Sequence, residues 1–278
     1  MDRALTPLNR SRIENINALP TVPGSFKSIS SIIEKPSVSL EKIGQFISKD
    51  PALTTKILKM VNSAAYGFPG RISSISHAVM LLGLNVVKGL LLGVSVFEIM
   101  EKVMSGLWAH SVGSAIAARE IACKLNIKDP EEISVAALLH DIGKVIMILE
   151  YQKEYDETIK EASTKECLIY EAEKAFFTEN HTTVGMWLAE KWNFPRNLVE
   201  VISYHHTPNM SRLALKETAI VHLADILVRA RGIGFAGDNF VPLLNSAAFE
   251  TLGLSNDDIL DVLVKIEETK QVSDDMAA

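Results

Sequence analysis

Apolar residues recur along this chain at the three-and-four spacing of helices, and no stretch shows the alternating pattern of a half-buried strand. Leu40, Ile43, Phe46 and Ile47 form one stripe. Asp50 before Pro51 is a helix start, with a side-chain acceptor for free N–H groups and a ring preset at the first helical position. The helix it opens carries Leu53, Ile57, Leu58 and Val61 on one face. NSAAYGFPGRISS, at 62–74, is rich in Gly, Pro and Ser and reads as a loop. Short helices at 75–82 and 85–98 follow, parted at Gly83-Leu84-Asn85. A second block begins near Gly106, with helices predicted over about 107–125 and 131–149. Ser163-x-x-Glu166 is a capping box for a helix to about Phe177. Helices near 181–192, 196–206, 215–231 and 256–268 complete the set, and the polar tail QVSDDMAA is expected to fray. The expectation is an all-α protein. Composition does not change where the blocks meet, which predicts two packed helical sub-bundles, 13–104 and 105–235, and then a C-terminal helical extension and tail at 236–278.

Composition narrows this picture. The 278 residues are 47% hydrophobic and 22% charged, ordinary for a chain that buries a large core. The net charge of -6, with no Lys/Arg cluster, argues against nucleic acid as a partner. Cys123 and Cys167 are the only cysteines, too few for a disulfide framework, so a reducing, cytoplasmic setting is expected. The N-terminus, MDRALTPLNRSRIE, has no apolar core of a signal peptide. VMLLGLNVVKGLLLGVSVFEIM, at 79–100, is the most membrane-like stretch. Asn85 and Lys88 interrupt it, so each apolar run is shorter than the ~20 residues of a span, and core helices without a membrane are the expectation.

The chemistry is concentrated in LLHDIGKVIM, at 138–147, where His140, Asp141 and Lys144 interrupt a segment that is otherwise built for burial. A buried, unpaired carboxylate costs several kcal/mol and demands a cation, a set of donors or a metal. Each histidine taken alone reads as a core residue bonded to a carbonyl. Together His110, His140, His181, His205 and His206, with Asp141 and Asp225, lie on apolar helices or at their ends. A helix bundle can aim such side chains at one point. Imidazoles with carboxylates suit Fe or Mn first, and also Zn, Ni or Co, while the lack of matched cysteines excludes a thiolate site. His222, three residues before Asp225, reads as structural. His77 reads as near a cap, Asn62, Ser63 and Tyr66 as fixing a loop or interface, and Trp108, Trp187 and Trp192 as core.

The order His110, His140-Asp141, His181, His205-His206, Asp225 resembles the ligand pattern of the HD superfamily of metal-dependent phosphohydrolases, and HDIGK at 140–144 is similar to its HD-GYP branch. The stretch from LPTVPGSFKSISSIIEKPSVSL through VMLLGLNVVKGLLLG (19–93) resembles the HDOD family, the HD-related output domain of bacterial signalling proteins, as does GMWLAEKWNFPRNLVEVISYHH (185–206). The resemblance covers about 13–235. It implies that the second sub-bundle is an HD-like bundle holding two transition-metal ions: one on His110, His140, Asp141 and Asp225, the other on Asp141, His181, His205 and His206, with Asp141 shared. Two ions ~3.5–4 Å apart can clamp a phosphoryl group for in-line attack. Lys144 would then contact a phosphate or a neighbouring carboxylate, or else lie on the surface. Many HDOD domains lack much of this pattern, and this chain keeps all of it. No Gly-Tyr-Pro follows His205-His206, so hydrolysis of cyclic-di-GMP is not implied, and Gly106 stands where some relatives have a glutamate for a third ion.

Two readings follow, and a third stays open. The first is a bacterial signalling module, regulatory or scaffolding, whose partners are other signalling proteins. The second is a phosphohydrolase acting on a nucleotide or other phosphate-bearing small molecule. The third is a metal-free helical protein whose histidines bond to backbone.

Overall fold

A computed structural model describes residues 4–15, 24–35, 39–47, 50–63, 72–269 and 272. Their regular elements are all helices, and the β pairing among them is the single bridge between Thr6 and Phe177. The first block holds α1 (Arg10–Glu14), α2 (Gly24–Ile33), α3 (Leu40–Ile47), α4 (Pro51–Val61) and α5 (Ile75–Val103). As the sequence predicts, Asp50 caps α4, its Oδ1 accepting from the Leu53 N–H at 3.0 Å, and Ile57 and Val61 are buried. Asn62 pairs with both backbone groups of Ile72, at 2.7 and 2.8 Å, and so pins the far end of the loop predicted at 62–74. Residues 64–71 of that loop, with Tyr66, lie outside the described residues, as does most of the tail.

The two helices expected at 75–82 and 85–98 are continuous in α5 except at Gly83, whose φ of 78° and ψ of 171° break the helical path. Residues His77–Val96 are long and apolar enough to cross a membrane, but 61% of that window is buried against protein. α5 packs on α2, α3 and α4 in its own block and on α6, α7 and α8 of the next. The Trp192 indole N–H also donates to the Ser30 hydroxyl at 2.9 Å, joining the blocks at a second place. Trp108, Trp187 and Trp192 are all core residues.

The second block comprises α6 (Leu107–Lys124), α7 (Pro130–Leu139), α8 (Ile142–Glu150), α9 (Gln152–Thr164), α10 (Ile169–Glu173), α11 (His181–Lys191), α12 (Arg196–Tyr204) and α13 (Leu215–Ala230). α14 (Ser246–Leu252) and α15 (Asn256–Ile266) follow. Two expectations fail here. The helix predicted over 131–149 is two helices, α7 and α8, and the chain turns at His140-Asp141. Apolar spacing runs on across the turn because both helices are buried, so periodicity could not reveal it. The Ser163/Glu166 capping box also does not form: Ser163 lies in the last turn of α9, and Glu166 has a positive φ of 51°.

Glu200 on α12 supplies one of the tightest links in the block. Its carboxylate accepts from the Ser211 hydroxyl and from the N–H groups of Arg212, Leu213 and Ala214, at 2.7 to 3.3 Å, fixing the path into α13. Burial opposes ionisation, but these donors win and hold its pKa below the ordinary carboxylate value. A carboxyl with a depressed folded pKa contributes stability above its unfolded pKa of roughly 4.3, and that contribution disappears as pH falls through the folded value. Glu200→Gln should therefore cost roughly 1–2 kcal/mol near neutral pH. Urea unfolding at pH 7 and again near pH 3 measures the gap to wild type, which should narrow in acid.

Candidate metal centre

The turn between α7 and α8 creates the site. His140 ends α7 and Asp141 precedes α8, so neighbouring residues face one space from two helices. α6 contributes His110, the first residue of α11 is His181, His205 and His206 follow the end of α12, and α13 contributes Asp225. All seven sequence-predicted residues come together here. Their donor atoms form two groups, Asp141, His181, His205 and His206 in one and His110, His140 and Asp225 in the other, each within 4.8 Å.

Asp141 stands between them. Its Oδ2 lies 3.5 Å from His110 Nε2 and 3.3 Å from His140 Nε2. Its Oδ1 lies 3.4 Å from His181 Nε2 and 3.8 Å from His205 Nε2. His110 Nε2 is also 3.3 Å from Asp225 Oδ1. The backbone sets the aim of the rings. The Nδ1 atoms of His140 and His205 face the Ala137 and Ile202 carbonyls at 2.6 and 2.9 Å. A carbonyl only accepts, so each Nδ1 carries a proton and each Nε2 faces inward.

Asp141 Oδ1, His205 Nε2 and both oxygens of Asp225 are buried without a hydrogen-bond partner. Unpaired polar atoms in a dry interior cost several kcal/mol together, and a cation among them removes that cost. Burial disfavours the charge on Asp141, yet His140 and Lys144 hold its carboxyl well below the usual range. Asp225 is held low in the same way by His110 and Arg229, against the same penalty. Burial pushes His205 and His206 well down, reinforced by the neighbouring imidazoles, and so keeps them neutral. Ionised carboxylates beside neutral imidazoles are the forms that ligate a divalent ion, and this donor set fits a transition metal.

Lys144 is fully buried, not on the surface. It donates to Asp141 Oδ2 at 2.7 Å and to the Ala236 carbonyl at 2.9 Å. That carbonyl belongs to a segment with no helical periodicity to mark it. Residues 232–240 run across the outside of the centre, the Phe235 N–H donating to the Gly106 carbonyl at 3.0 Å. Gly234, with a φ of 70°, lies against the His110 backbone where a Cβ would collide. Asp238 accepts from the Ile169 N–H at 2.7 Å and pairs with Arg229, one turn beyond Asp225. Gly143 also has a steric role: a Cβ there would overlap the His181 carbonyl oxygen, so glycine lets α8 and α11 meet.

Two further residues were missed, Glu173 and Tyr155. The fully buried Glu173 accepts from His181 Nδ1 at 2.7 Å and from the His181 N–H at 2.9 Å, while its other oxygen accepts from the Tyr155 hydroxyl at 2.6 Å. A Tyr in QKEYDETIKEAST and a Glu in IYEAEK give only a weak signal, because polar residues surround both. His222 is structural, as expected: its Nδ1 donates to the His205 carbonyl at 2.8 Å and its Nε2 accepts from the Asn245 N–H. His77 is exposed beside the Ser74 cap of α5. His206 is the partly exposed member of the set, with the Tyr170 ring 4.7 Å away.

Comparison with known proteins decides the family. The HDOD domain matches residues 19–208, more than half of the chain. The chain belongs to the HDOD family. It is 28% identical over 207 residues to an uncharacterized protein of Treponema pallidum, covering 72% of this chain and 40% of that protein. The chain thus spans less than half the length of the curated relatives it matches. A crystal structure of an HDOD domain protein of unknown function from Geobacter sulfurreducens superposes with a TM-score of 0.69 at 25% identity, over 96% of this chain and 95% of that one. A proposed metal-dependent phosphohydrolase from Shewanella amazonensis SB2B shares the fold with a TM-score of 0.60 at 18% identity, over 95% and 96%.

In this HDOD chain the Glu173 carboxylate behind His181 fixes the ring's orientation, with Nε2 turned toward Asp141, as carboxylates behind metal-ligating histidines do. Glu173→Gln should weaken ion binding at the His181 side about 10–100-fold. Competition with a chelator of known affinity measures this, and an unchanged affinity would make Glu173 a packing residue only.

Proposed function

We propose that this chain is a regulatory or scaffolding module of bacterial signal transduction built around a dinuclear transition-metal centre. Asp141 carries this reading: one carboxylate presents each of its oxygens to a different group of histidines. His110, His140, Asp141 and Asp225 would hold one ion, and Asp141, His181, His205 and His206 the other. Fe or Mn fits this donor set, as do Zn, Ni and Co. The unit would span 13–235, with 236–278 as an extension of which residues 236–240 brace the centre. The partners would be other cytoplasmic signalling proteins rather than nucleic acid or a membrane.

Burial favours regulation over turnover. Six of the seven ligands are at most 1% exposed, and Lys144 is turned to Asp141 and the Ala236 carbonyl rather than to an open face. A centre closed in this way holds elements together, so its loading would set how α6, α8, α11, α12 and α13 meet.

A second reading, a phosphohydrolase acting on a nucleotide or other phosphoester, rests on the partly exposed edge at His206. Bound ions would supply Lewis-acid activation of a phosphoryl oxygen. The chain's own residues would orient that group at the His206 edge and exclude water elsewhere. Elemental analysis of purified protein, with turnover of a phosphomonoester and phosphodiester panel, separates the readings. About two ions per chain without turnover supports the module. Metal-dependent turnover supports the hydrolase, and no ions at stoichiometric supply removes the centre from both.

A further inference from the structure

The two halves of the centre offer different donors. The His181 half presents three imidazoles, from His181, His205 and His206, and a single carboxylate oxygen, Asp141 Oδ1. That oxygen has no hydrogen-bond partner, and the carboxylate of Glu173 backs the His181 ring. The Asp225 half presents two imidazoles, from His110 and His140, and the Asp225 carboxylate. Both Asp225 oxygens are buried without a hydrogen-bond partner, and the nearby Asp141 Oδ2, 3.5 and 3.3 Å from the two rings, already accepts from the Lys144 ammonium at 2.7 Å.

Nitrogen-rich sites favour borderline ions such as Zn2+, Co2+ or Ni2+, and oxygen-rich sites favour harder ions such as Mn2+. Lys144 already engages the one shared oxygen that faces the Asp225 half, so the oxygen character of that half rests chiefly on Asp225. On the other half, Glu173 holds the His181 ring with its Nε2 turned toward Asp141 Oδ1 and so fixes one of the three imidazole donors.

We infer that the centre is selective for a mixed pair, a borderline divalent ion at His181, His205 and His206 and a harder, Mn2+-like ion at Asp225, His110 and His140. This rests on the dinuclear reading above and specifies which ion each half takes. Asp225 and His206 are the residues that set the difference, one supplying oxygen donors to one half and the other supplying the third imidazole to its neighbour.

Native mass spectrometry of the full wild-type chain tests it, with one equivalent of Zn2+ and an excess of Mn2+. The expected dominant species carries one Zn and one Mn, in about tenfold excess over the two-Zn and two-Mn forms. A statistical mixture of the three forms overturns the selectivity and leaves the dinuclear centre standing, whereas protein with no bound ion sinks both. Site-resolved variants give a second readout. Asp225→Asn should keep Zn2+ and lose Mn2+, and His206→Asn should keep Mn2+ while weakening Zn2+ by about tenfold or more. If Asp225→Asn released Zn2+ in preference to Mn2+, the assignment of the halves would be wrong. The wild-type measurement needs no substitution, so a variant that fails to fold does not weaken the test.

Discussion

Asp141→Asn is expected to empty both halves of the centre at once. An amide presents one oxygen and one NH2, and the nitrogen, its lone pair committed to the carbonyl, directs hydrogens at a cation. Whichever way the amide turns, one half loses its shared oxygen and the other keeps only a neutral one, although the wild-type oxygens face His110 and His140 on one side and His181 and His205 on the other. Affinity should fall by more than the ~10–100-fold that follows loss of a residue behind a ligand. Elemental analysis after gel filtration should count no ions where wild type holds them. Melting temperature gives an independent measure: saturating metal stabilises wild type by RT ln(1 + [L]/Kd), about 2.7 kcal/mol at a hundredfold excess over Kd, and Asp141→Asn should lose that rise. Asparagine still offers an acceptor to the buried Lys144, so the apo protein should fold. Asp141→Leu leaves that ammonium without its counter-charge at 0% exposure, with only the Ala236 carbonyl as acceptor, and should cost a further ~3–5 kcal/mol without metal. One ion retained by Asp141→Asn at wild-type affinity would mean that Asp141 does not bridge.

The constellation around Asp141 was legible because burial makes polar residues expensive. His140 and Asp141 could not sit in LLHDIGKVIM without partners, and His110, His181, His205-His206 and Asp225 were similarly costly on their own apolar helices. The order of these residues therefore carried the site, although they are far apart in the chain. Much of what shapes the site left no comparable trace. The turn at His140-Asp141 is invisible because α7 and α8 are buried on nearly every side, and an all-round apolar run has no face to lose at a break. Ser163-x-x-Glu166 has the letters of a capping box, but the chain there is ending α9 rather than opening a helix. Glu173 and Tyr155 satisfy each other and His181, so neither looks costly until the fold joins them. Residues 232–240 act through the Ala236 carbonyl and the Phe235 N–H, groups that every sequence has and none announces.

Gly143→Ala is the second large effect, and it is steric. Gly143 lies in the first turn of α8, two residues after Asp141, and its Cα faces the His181 carbonyl at the start of α11. A Cβ would fall within van der Waals overlap of that oxygen and close to the Gly185 nitrogen, both backbone atoms. A side chain can rotate away from such a clash, but here one of two buried helices must move. Overpacking of this kind costs roughly 1–3 kcal/mol where side chains can yield, so a backbone clash should exceed about 3 kcal/mol, among the larger effects of a single substitution. Gly185→Ala on the facing helix is the control: its Cβ meets chiefly the Ile202 Cγ2 methyl at 2.8 Å, which can turn aside, and it should cost less. The position of the clash predicts a functional signature as well. Parting α8 from α11 draws Asp141 away from His181 but leaves His110, His140 and Asp225 on their own helices. Any folded Gly143→Ala protein should therefore lose the ion at the His181 half first. Urea midpoints for both variants, with ion counts on the soluble fraction, test the two parts separately. A Gly143→Ala protein as stable as Gly185→Ala would mean that α8 and α11 are not held at this contact. A stable one that keeps both ions would mean that their spacing does not set the centre.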